Sequence, residues 1–377
     1  MRKRGHIRRR GEHSWEIKID CGRDTDGNRI VHYYSVKGAR ADANKKLTQL
    51  LNQRDNGAYV APTKETVADF VRGRVKHWEA SGHISPRSAE RYRQLVEHQI
   101  VPHLGSKQLR DLRPRDIEVW HTALCETLEP RTVQHAHAVL SKALRDAVVN
   151  EELVKNVATT KSAPKPSDDE MVIVKDVPGL VAKLVSHTSI YVPAMVALFT
   201  GMRLGEILAL RWSRIDLEGR KLRVEEALEE TGQGIRFKTP KSRAGIRTIT
   251  LPDILIQCLR DYRKEQLELR VRLGLGKLPD DALLFTNLDG EVIRTTVASK
   301  RWTRCAASIG LPDITFHSLR HTHASALIDA GVDIVTISKR LGHKKPDITL
   351  RVYSHLFRND DSKASEAINR ALADLKW

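Results

Sequence analysis

Hydrophobic and polar residues alternate along two short stretches near the N-terminus, residues 14–20 and 30–34. Alternation with a period of two is typical of half-buried strands, and the Asp-Gly pair between the two stretches favours a tight turn. A helix is predicted to follow over residues 39–53. Together these elements indicate a small β-rich domain over residues 1–60.

Residues 64–160 follow a different pattern, because their apolar residues recur every three or four positions, as on one face of a helix. Thr66 and Asp69 form an N-terminal capping signal for the first of four predicted helices. A Ser-Pro pair begins the second helix, and a proline begins the third and the fourth. A turn-rich stretch, residues 56–63, separates this all-helical domain from the β-rich one.

A stretch rich in Pro, Ser, Lys and acidic residues, 161–170, is predicted to link the helical domain to a larger one over residues 171–377. Strand-like segments at 221–224, 234–237 and 246–251 lie among helical patterns, which predicts helices around a small β-sheet. The cation-rich segment 238–247 lies between the last two of these strands and is predicted to be the tip of a hairpin. The predicted fold class is therefore multidomain, mainly α with small β-sheets. A β-rich N-terminal domain and a helical domain precede an α+β domain.

The charge balance indicates the kind of partner. The 377 residues include 64 Lys and Arg against 47 Asp and Glu, a formal net charge of +17, and residues 1–60 alone hold 14 basic against 7 acidic residues. Such an excess favours a polyanion, foremost nucleic acid. A membrane is disfavoured, because no run approaches the roughly 18 consecutive apolar residues of a spanning helix and no apolar signal sequence follows the basic N-terminus. We expect a cytoplasmic protein.

Basic side chains in the first two domains are candidates for DNA contacts, with ordinary solvated surface charge as the alternative. The candidates are Arg8, Arg9, Arg10, Lys18, Arg87, Arg91, Arg131 and Lys142. Contacts of such side chains to phosphates add affinity for DNA without reading its sequence.

Four segments of the last domain contain residues that suit chemistry on a phosphate. They contribute Arg203 with Glu206, Lys241, His317 with Arg320, and His343 with Tyr353. Taken singly, each segment has an ordinary explanation, such as a buried Arg–Glu pair, a solvated turn or a packed tyrosine. His317 and His321 are also spaced like two metal ligands, but no acidic or cysteine ligand lies nearby in sequence and Arg320 would repel a cation. We expect no metal and no other cofactor.

Together these residues fit the transfer of a phosphodiester to a side-chain hydroxyl. Two guanidiniums can clamp the non-bridging oxygens and stabilise the charge of the five-coordinate state. A lysine can protonate the leaving sugar oxygen, and a histidine or the cationic surroundings can help a phenol, with an ordinary pKa of about 10, to lose its proton. The covalent intermediate stores the energy of the phosphodiester, so that rejoining needs no ATP.

The chain resembles the tyrosine recombinases of the phage-integrase family. The strings that carry the resemblance are Thr-Gly-Met-Arg-Leu-Gly-Glu at 200–206, His-Ser-Leu-Arg-His-Thr at 317–322, Leu-Gly-His at 341–343 and Tyr-Ser-His at 353–355. All four occur in the family's order and at its spacing. The resemblance implies an arm-type DNA-binding domain over residues 1–60, a helical core-binding domain over 64–160 and a catalytic domain over 171–377.

The resemblance also implies a role for each site residue. Tyr353 is the nucleophile that forms a 3′-phosphotyrosyl link, Arg203 and Arg320 clamp the phosphate, Lys241 is the general acid toward the 5′ oxygen, His317 is the general base or a proton partner, His343 hydrogen-bonds the phosphate, and Glu206 orients an arginine or histidine. Lys238 lies in the same segment as Lys241 and is the alternative acid, but the sequence that follows Lys241 fits the family better. His323 stands where the family varies and has no implied role.

The activity implied is site-specific recombination that integrates and excises a phage or other mobile element. The implied partners are double-stranded DNA attachment sites, further copies of the chain in a DNA-bound tetramer, and an accessory DNA-bending or directionality protein. A C-terminal helix with Ile368 and Leu372 on its apolar face is expected to pass to a neighbouring protomer, with packing on its own domain as the alternative. The expected location is the DNA of a bacterial cytoplasm.

Three other functions are weighed against this one. A chromosome-dimer resolvase shares the chemistry but lacks an arm domain. A type IB topoisomerase also shares it, but relaxes DNA without partner sites. A DNA-binding regulator with an inactive site is disfavoured by the complete set of six polar residues.

Overall fold

The computed structural model describes residues 5–23, 26–56, 59, 64–165, 171–240, 243–287, 289–356 and 362–372. The chain divides into two compact units, residues 1–169 and 170–377. Within the described ranges both units are mainly helical with small antiparallel sheets, as the sequence predicts. No helix in these ranges is both long and apolar enough to cross a bilayer.

The N-terminal part of the first unit is an antiparallel sheet with a helix packed on one face. Its elements are β1 (Gly5–Gly11), β2 (Ser14–Arg23), β3 (Arg29–Lys37) and α1 (Arg40–Asp55), with the strand order β1-β2-β3. Ile17 and Ile19 are buried in a cluster with Leu50 of α1, while Lys18 between them is exposed. The two predicted strands and the helix are confirmed. The pattern does not predict β1, because consecutive arginines interrupt its alternation.

The rest of the first unit is helical. Its helices are α2 (Val67–Ala80), α3 (Pro86–Leu95), α4 (Val101–Leu104), α5 (Pro114–Cys125) and α6 (Pro130–Val149). The predicted starts are confirmed: the Thr66 side chain accepts a hydrogen bond from the backbone N–H of Asp69 at 3.1 Å, and Ser85 accepts one from that of Ser88 at 3.3 Å. Proline occupies the first turn of α3, α5 and α6, where its missing N–H costs nothing.

A group of polar side chains ties α2 to α6 beside the hydrophobic core of these helices. The carboxylate of Asp146 accepts hydrogen bonds from the Arg74 Nε at 2.9 Å and from the Trp78 indole nitrogen at 2.7 Å. The Arg74 and Asp146 side chains are only 20% and 25% exposed. Hydrogen bonds to a charged group are stronger than those between neutral groups, and partial burial limits their screening by water.

The second unit surrounds the buried helix α8 with other helices. Its helices are α7 (Val177–Leu184), α8 (Thr188–Thr200), α9 (Leu204–Leu208), α10 (Asp253–Arg272), α11 (Thr295–Ser308), α12 (Phe316–Asp329), α13 (Ile334–Leu341), α14 (Pro346–Tyr353) and α15 (Ser362–Ala371). Helix α8 is apolar on every side and contacts α10, α11 and α12. A helix without a polar face is stable only when it is enclosed, so α8 forms the centre of this unit.

The strands of the second unit form two small antiparallel sheets in the described part of the chain. They are β4 (Ile215–Asp216), β5 (Lys221–Val224), β6 (Ala227–Thr231), β7 (Gly234–Lys238) and β8 (Arg247–Thr250), paired in the orders β4-β5-β8 and β6-β7. The three predicted strands are present, but the expectation that they share one sheet is wrong. The cation-rich segment 238–247 is therefore not the tip of a hairpin, and it connects one sheet to the other. Alternation identifies a strand without specifying its partner.

Removing the Asp146 carboxylate should destabilise the helical part of the first unit. We expect Asp146→Ala to lower the free energy of unfolding in urea by about 2 kcal/mol, because Arg74 and Trp78 lose a charged acceptor. Glu97→Ala is the matched control, since Glu97 pairs with Arg72 through side chains that are 44% and 47% exposed. That change should cost less than about 1 kcal/mol, and equal losses in the two variants would contradict the assignment.

Candidate active site

The turn between α8 and α9 presents Arg203. Gly201 ends α8 in the left-handed conformation with φ of 67°, and a Cβ at this position would lie 2.7 Å from His323 Cδ2. Glycine is required there for both reasons. Arg203 then caps α9, and Glu206 accepts hydrogen bonds from its backbone N–H at 3.0 Å and from its guanidinium at 2.9 Å. The Arg203 side chain remains 44% exposed, so its guanidinium is open to a ligand.

Arg320 of α12 lies inside the protein, with only 2% of the residue exposed. Its guanidinium donates to the Gly201 carbonyl at 2.5 Å and to the Leu341 carbonyl at 2.8 Å, and it lies 2.8 Å from His343 Nε2. Burial, with a further contribution from Arg203, lowers the pKa of Arg320 to about 9. The group therefore stays cationic at neutral pH.

His343 follows α13 and joins Arg320 to α14. Gly342 ends α13 with φ of 70°, which turns the chain so that the imidazole faces Arg320. Because Arg320 can only donate, His343 Nε2 accepts, and Nδ1 carries the proton toward Thr349 Oγ1 at 2.7 Å. Burial and the charge of Arg320 lower the pKa of His343 to about 4. The ring is therefore neutral, with its tautomer fixed by its two neighbours.

Glu206 is shared between Arg203 and a second arginine, Arg247 of β8. The Arg247 guanidinium donates to Glu206 at 2.9 Å and to the Arg340 carbonyl at 2.7 Å, and the side chains of Arg247 and Glu206 are 6% and 5% exposed. Burial alone would raise the pKa of Glu206, but Arg247 and Arg203 outweigh it and the pKa lies below its ordinary value. A Cβ on Gly342 would lie 2.7 Å from the Arg247 guanidinium. Arg247 thus connects the turn that holds Arg203 to the turn that precedes His343.

Tyr353 is the last residue of α14 and is only 1% exposed. Its hydroxyl lies 2.8 Å from Nδ1 of His321, and the two rings meet edge to face. Burial raises the pKa of Tyr353 to about 12, although Arg320 acts in the opposite direction. Burial, His317 and Arg320 together lower the pKa of His321 to about 4. The pair is therefore a neutral phenol beside a neutral imidazole.

His317 is exposed and packs against His321 with ring centroids 4.5 Å apart and ring planes at 85°. Partial burial, Arg320 and Arg203 lower the pKa of His317. Among the described residues no group of three or more His, Cys, Asp or Glu lies close enough to hold a metal ion.

The structure brings most of the predicted site residues into one connected group. Its members are Arg203, Glu206, His317, Arg320, His343 and Tyr353. Lys241 lies outside the described residues. Lys238 forms an ion pair with Glu229, which is 3% exposed, so its ammonium is already engaged. His323 has a structural role, since its Nδ1 donates to the Leu198 carbonyl and its Nε2 accepts from Arg340.

Sequence reasoning misses His321, Arg247 and Thr349. His321 has a signal, because it directly follows Arg320, but the pairing with Tyr353 is not visible at a separation of 32 residues. Arg247 is the one arginine of β8 and lies on the buried side of the strand with Ile249, but nothing in the sequence around it points to Glu206. Thr349 is a fully buried threonine within a helix, and the sequence around it gives no sign of its contact with His343.

The four N-terminal candidates for DNA contacts differ in their surroundings. Arg8 pairs in register with Glu16, and Lys18 lies two residues further along β2, so both project from the face of the sheet opposite the buried Ile17. Arg9 donates to the carbonyl of Gly11, and Arg10 forms an ion pair with Glu16. Arg8 and Lys18 therefore share the outer face of the sheet.

The four candidates in the helical part also fall into two kinds. Arg87, Arg91 and Arg131 are exposed, the first two on α3 and the third near the start of α6. Lys142 lies with its ammonium 4.0 Å from the centroid of the Trp78 ring, a cation–π contact. Burial lowers the pKa of Lys142, although Asp146 acts in the opposite direction. The charge of Lys142 therefore stabilises the contact between α2 and α6.

Comparison with known proteins finds relatives of both units. A model described as the phage integrase family matches residues 176–360, and one described as the phage integrase N-terminal SAM-like domain matches residues 73–125. An integrase of Streptomyces ambofaciens is 29% identical to this chain over 91% of this chain and 90% of its own length.

Two solved structures share the fold. An integrase of the Tn1549 transposon in complex with a circular intermediate DNA superposes with a TM-score of 0.70 at 18% identity, over 82% of this chain and all of that one (100%). A lambda integrase tetramer bound to a Holliday junction superposes with a TM-score of 0.57 at 18% identity, over 90% of this chain and 96% of that one. Identities this low establish the fold and leave the roles of the residues to be argued from the site.

Removing Arg247 should destabilise the second unit more than removing an exposed arginine of the neighbouring strand. We expect Arg247→Met to lower the free energy of unfolding in urea by about 3 kcal/mol, because Glu206 is left buried with one cation fewer. Arg223→Met in β5 is the control, since Arg223 is 57% exposed in its pair with Glu225 and such pairs contribute less than about 1 kcal/mol. A loss for Arg247→Met as small as the control's would remove Arg247 from the group that holds the site.

Proposed function

The chain belongs to the phage integrase family of tyrosine recombinases, and we propose that it integrates and excises a mobile element through a 3′-phosphotyrosyl bond to Tyr353. The observation that carries the proposal is the single hydrogen-bonded group formed by Arg320, His343, Thr349 and the helix that ends at Tyr353. His321 lies at the Tyr353 hydroxyl and the charge of Arg320 acts on it, which supports phosphoryl transfer to this side chain.

The cleavage step begins with a scissile phosphate bound between Arg203 and Arg320. The Tyr353 oxygen attacks phosphorus, a P–O bond to tyrosine forms, and the bond from phosphorus to the 5′ oxygen breaks. The guanidiniums stabilise the charge on the non-bridging oxygens, and the buried one needs no reorganisation during the step because protein carbonyls already hold it. His317, at the exposed end of the group, serves as a proton partner beside the phosphate.

His343 would reach a phosphate held by Arg320, from which it lies only 2.8 Å away. In the DNA-free protein its Nε2 accepts a hydrogen bond, so donation to the phosphate requires a second proton on the ring. The negative charge of the phosphate favours that protonation. Glu206 orients Arg203 through two hydrogen bonds and acts without touching the DNA.

Lys241 is proposed as the acid that protonates the leaving 5′ oxygen. The ion pair between Lys238 and the nearly buried Glu229 supports this choice, because a lysine engaged in that way is a poor proton donor. Rejoining reverses both proton transfers, and the 5′ hydroxyl displaces the tyrosine.

The proposed assembly is a tetramer on DNA. The lambda integrase in its tetrameric Holliday-junction complex shares the fold of this chain. Ile368 and Leu372 at the end of the chain are 58% and 45% exposed, which supports transfer of α15 to a neighbouring protomer. We also propose that the enzyme acts on the DNA of a bacterial cytoplasm, where its recombination sites would lie.

We assign residues 1–60 to arm-type sites, through the sheet face that carries Arg8 and Lys18, and residues 64–160 to core sites. The match of residues 73–125 to the SAM-like domain of phage integrases supports the second assignment. One chain that binds two separate sites on a DNA molecule requires the DNA between them to bend. Bending costs several kcal/mol, so an accessory DNA-bending protein, which would also set direction, is a suitable partner.

Replacing the nucleophile should abolish covalent attachment. Nicked duplexes that carry the ends of the mobile element should give a protein–DNA adduct on a denaturing gel with the wild type and none with Tyr353→Phe, which keeps the ring and loses the attacking oxygen. Tyr262→Phe in α10 is the control and should still form the adduct. An adduct that persists in Tyr353→Phe would refute the assignment, and relaxation of supercoiled DNA without these sites would favour a topoisomerase.

The two lysines of the 238–247 segment should differ in effect. Lys241→Ala should slow adduct formation on the same nicked duplexes by roughly 100-fold, the scale of general-acid catalysis. Lys238→Ala should have a much smaller effect, because its partner Glu229 also binds Arg236. The reverse order would transfer the role of acid to Lys238.

A further inference from the structure

The phenol of Tyr353 must lose a proton when it attacks phosphorus, and bulk water has little access to it. The residue is 1% exposed, and its ring packs among Ile328, Ile337 and Leu341. In the described part of the chain the hydrogen-bond partner of its hydroxyl is Nδ1 of His321, at 2.8 Å. A group that removes this proton must be within hydrogen-bond reach of the oxygen.

We infer that His321 is the catalytic base that takes the proton of Tyr353 during strand cleavage and returns it during rejoining. The inference deepens the proposed function and rests on it. It also separates two neighbouring histidines, because His321 touches the attacking oxygen while His317 is the exposed ring of the pair.

The proton balance of the step is complete. The O–H bond of Tyr353 breaks, its proton moves to Nδ1 of His321, and the phenolic oxygen bonds to phosphorus. The departing 5′ oxygen takes a different proton, from the acid proposed above. In rejoining, the tyrosine oxygen leaves phosphorus and recovers its proton from the His321 imidazolium. Neither direction needs an oxidant, a metal or a nucleotide.

The surroundings of His321 keep it able to accept a proton. Among the described residues, the charged and titratable groups that act on it are His317 and Arg320 of its own helix and Tyr353 of α14. Burial and the two neighbours on α12 lower the pKa of His321 to about 4, so the ring is neutral at physiological pH. A neutral imidazole has one nitrogen with a free lone pair. The anionic phosphate of bound DNA would raise that pKa and strengthen the base when it is needed.

Helix α14, which carries Tyr353, is held by two histidines of the site: His321 contacts Tyr353, and His343 contacts Thr349. Four residues before Tyr353, Thr349 is hydrogen-bonded to His343, which in turn contacts Arg320. Positions four apart lie on the same face of a helix. The contact between Tyr353 and His321 is therefore supported by a second one a turn away, which keeps donor and acceptor in register.

A histidine that only positions the tyrosine would make the same contact. The test must therefore distinguish a general base from a positioning residue. His321→Asn keeps an acceptor near the Nδ1 position and cannot take up a proton near neutral pH. We expect full-length His321→Asn to form the adduct on nicked duplexes from the element's ends roughly 100-fold more slowly than the wild type. Unchanged affinity for the same duplex in a gel-shift assay would show that the variant is folded.

The pH dependence of the rate of adduct formation is a second readout. If His321 only positioned Tyr353, replacing His321 would leave this pH dependence unchanged. With His321 present, the rate should level off once the imidazole is neutral. In His321→Asn the rate should keep rising with pH, because the phenol, whose pKa is about 12 in the protein, must then lose its proton to hydroxide.

Two chemical substitutions, one in the attacking tyrosine and one in the leaving group, distinguish loss of the base from loss of the acid. Placing a fluorinated, more acidic tyrosine at position 353 should restore much of the rate in His321→Asn, because its phenolate forms without a base. A duplex with sulfur in place of the leaving 5′ oxygen should restore Lys241→Ala and not His321→Asn, because the sulfur leaves without a proton.

The outcomes separate the inference from the proposed function. If the wild type forms no adduct, the proposed function fails and the inference fails with it. If the wild type reacts and His321→Asn reacts equally fast or faster, His321 only positions the tyrosine, and the inference alone is wrong. A slow variant that the sulfur substrate restores, or that the fluorinated tyrosine leaves equally slow, would also overturn the role of base.

Discussion

The second unit depends on the buried guanidinium of Arg320. A charge inside a protein is stable only when hydrogen bonds replace its water, and here the partners are the carbonyls of Gly201 and Leu341, where α8 and α13 end, together with His343. The last carbonyls of a helix lack intrahelical partners and carry the negative end of its dipole. One cation therefore satisfies two helix ends and holds the segments that bear Arg203 and His343. The charge that we propose as a phosphate clamp therefore also fixes the fold around it.

Arg247 and Glu206 extend this arrangement on the other side of α13. The carbonyl of Arg340 accepts from Arg247, and that of the next residue, Leu341, accepts from Arg320. Gly342 then passes close to the Arg247 guanidinium, where a side chain would not fit. The turn before His343 is thus confined by two arginines from different elements. Such confinement favours catalysis, because small displacements of reacting groups cost large factors in rate.

The helix starts and the site motifs could be predicted from the sequence, whereas the strand pairing and the long-range contacts of the site could not. Helix starts such as Thr66 are local, since cap and helix lie within four residues, and the site motifs are local as well. Strand pairing is not local, so the segment after β7 was expected to close a hairpin although β8 pairs with β5. The contacts of His321 with Tyr353 and of Arg247 with Glu206 span 32 and 41 residues. Only the folded chain reveals these contacts, because nothing in the sequence around one residue of a pair points to the other.

The burial of Tyr353 also affects what the enzyme does between encounters with its target. A protein with this positive charge meets many phosphodiesters on any chromosome, and a permanently exposed phenolate beside two guanidiniums would be a general nicking agent. A phenol that is 1% exposed, with its pKa raised to about 12, is inert toward such chance contacts. Under the proposed mechanism, reactivity requires a DNA that stays bound long enough for its phosphate to reach the buried phenol, while Tyr353 keeps its hydrogen bond to His321. If Tyr353 is the nucleophile, as we propose, the packing that buries it also protects the genome of the host.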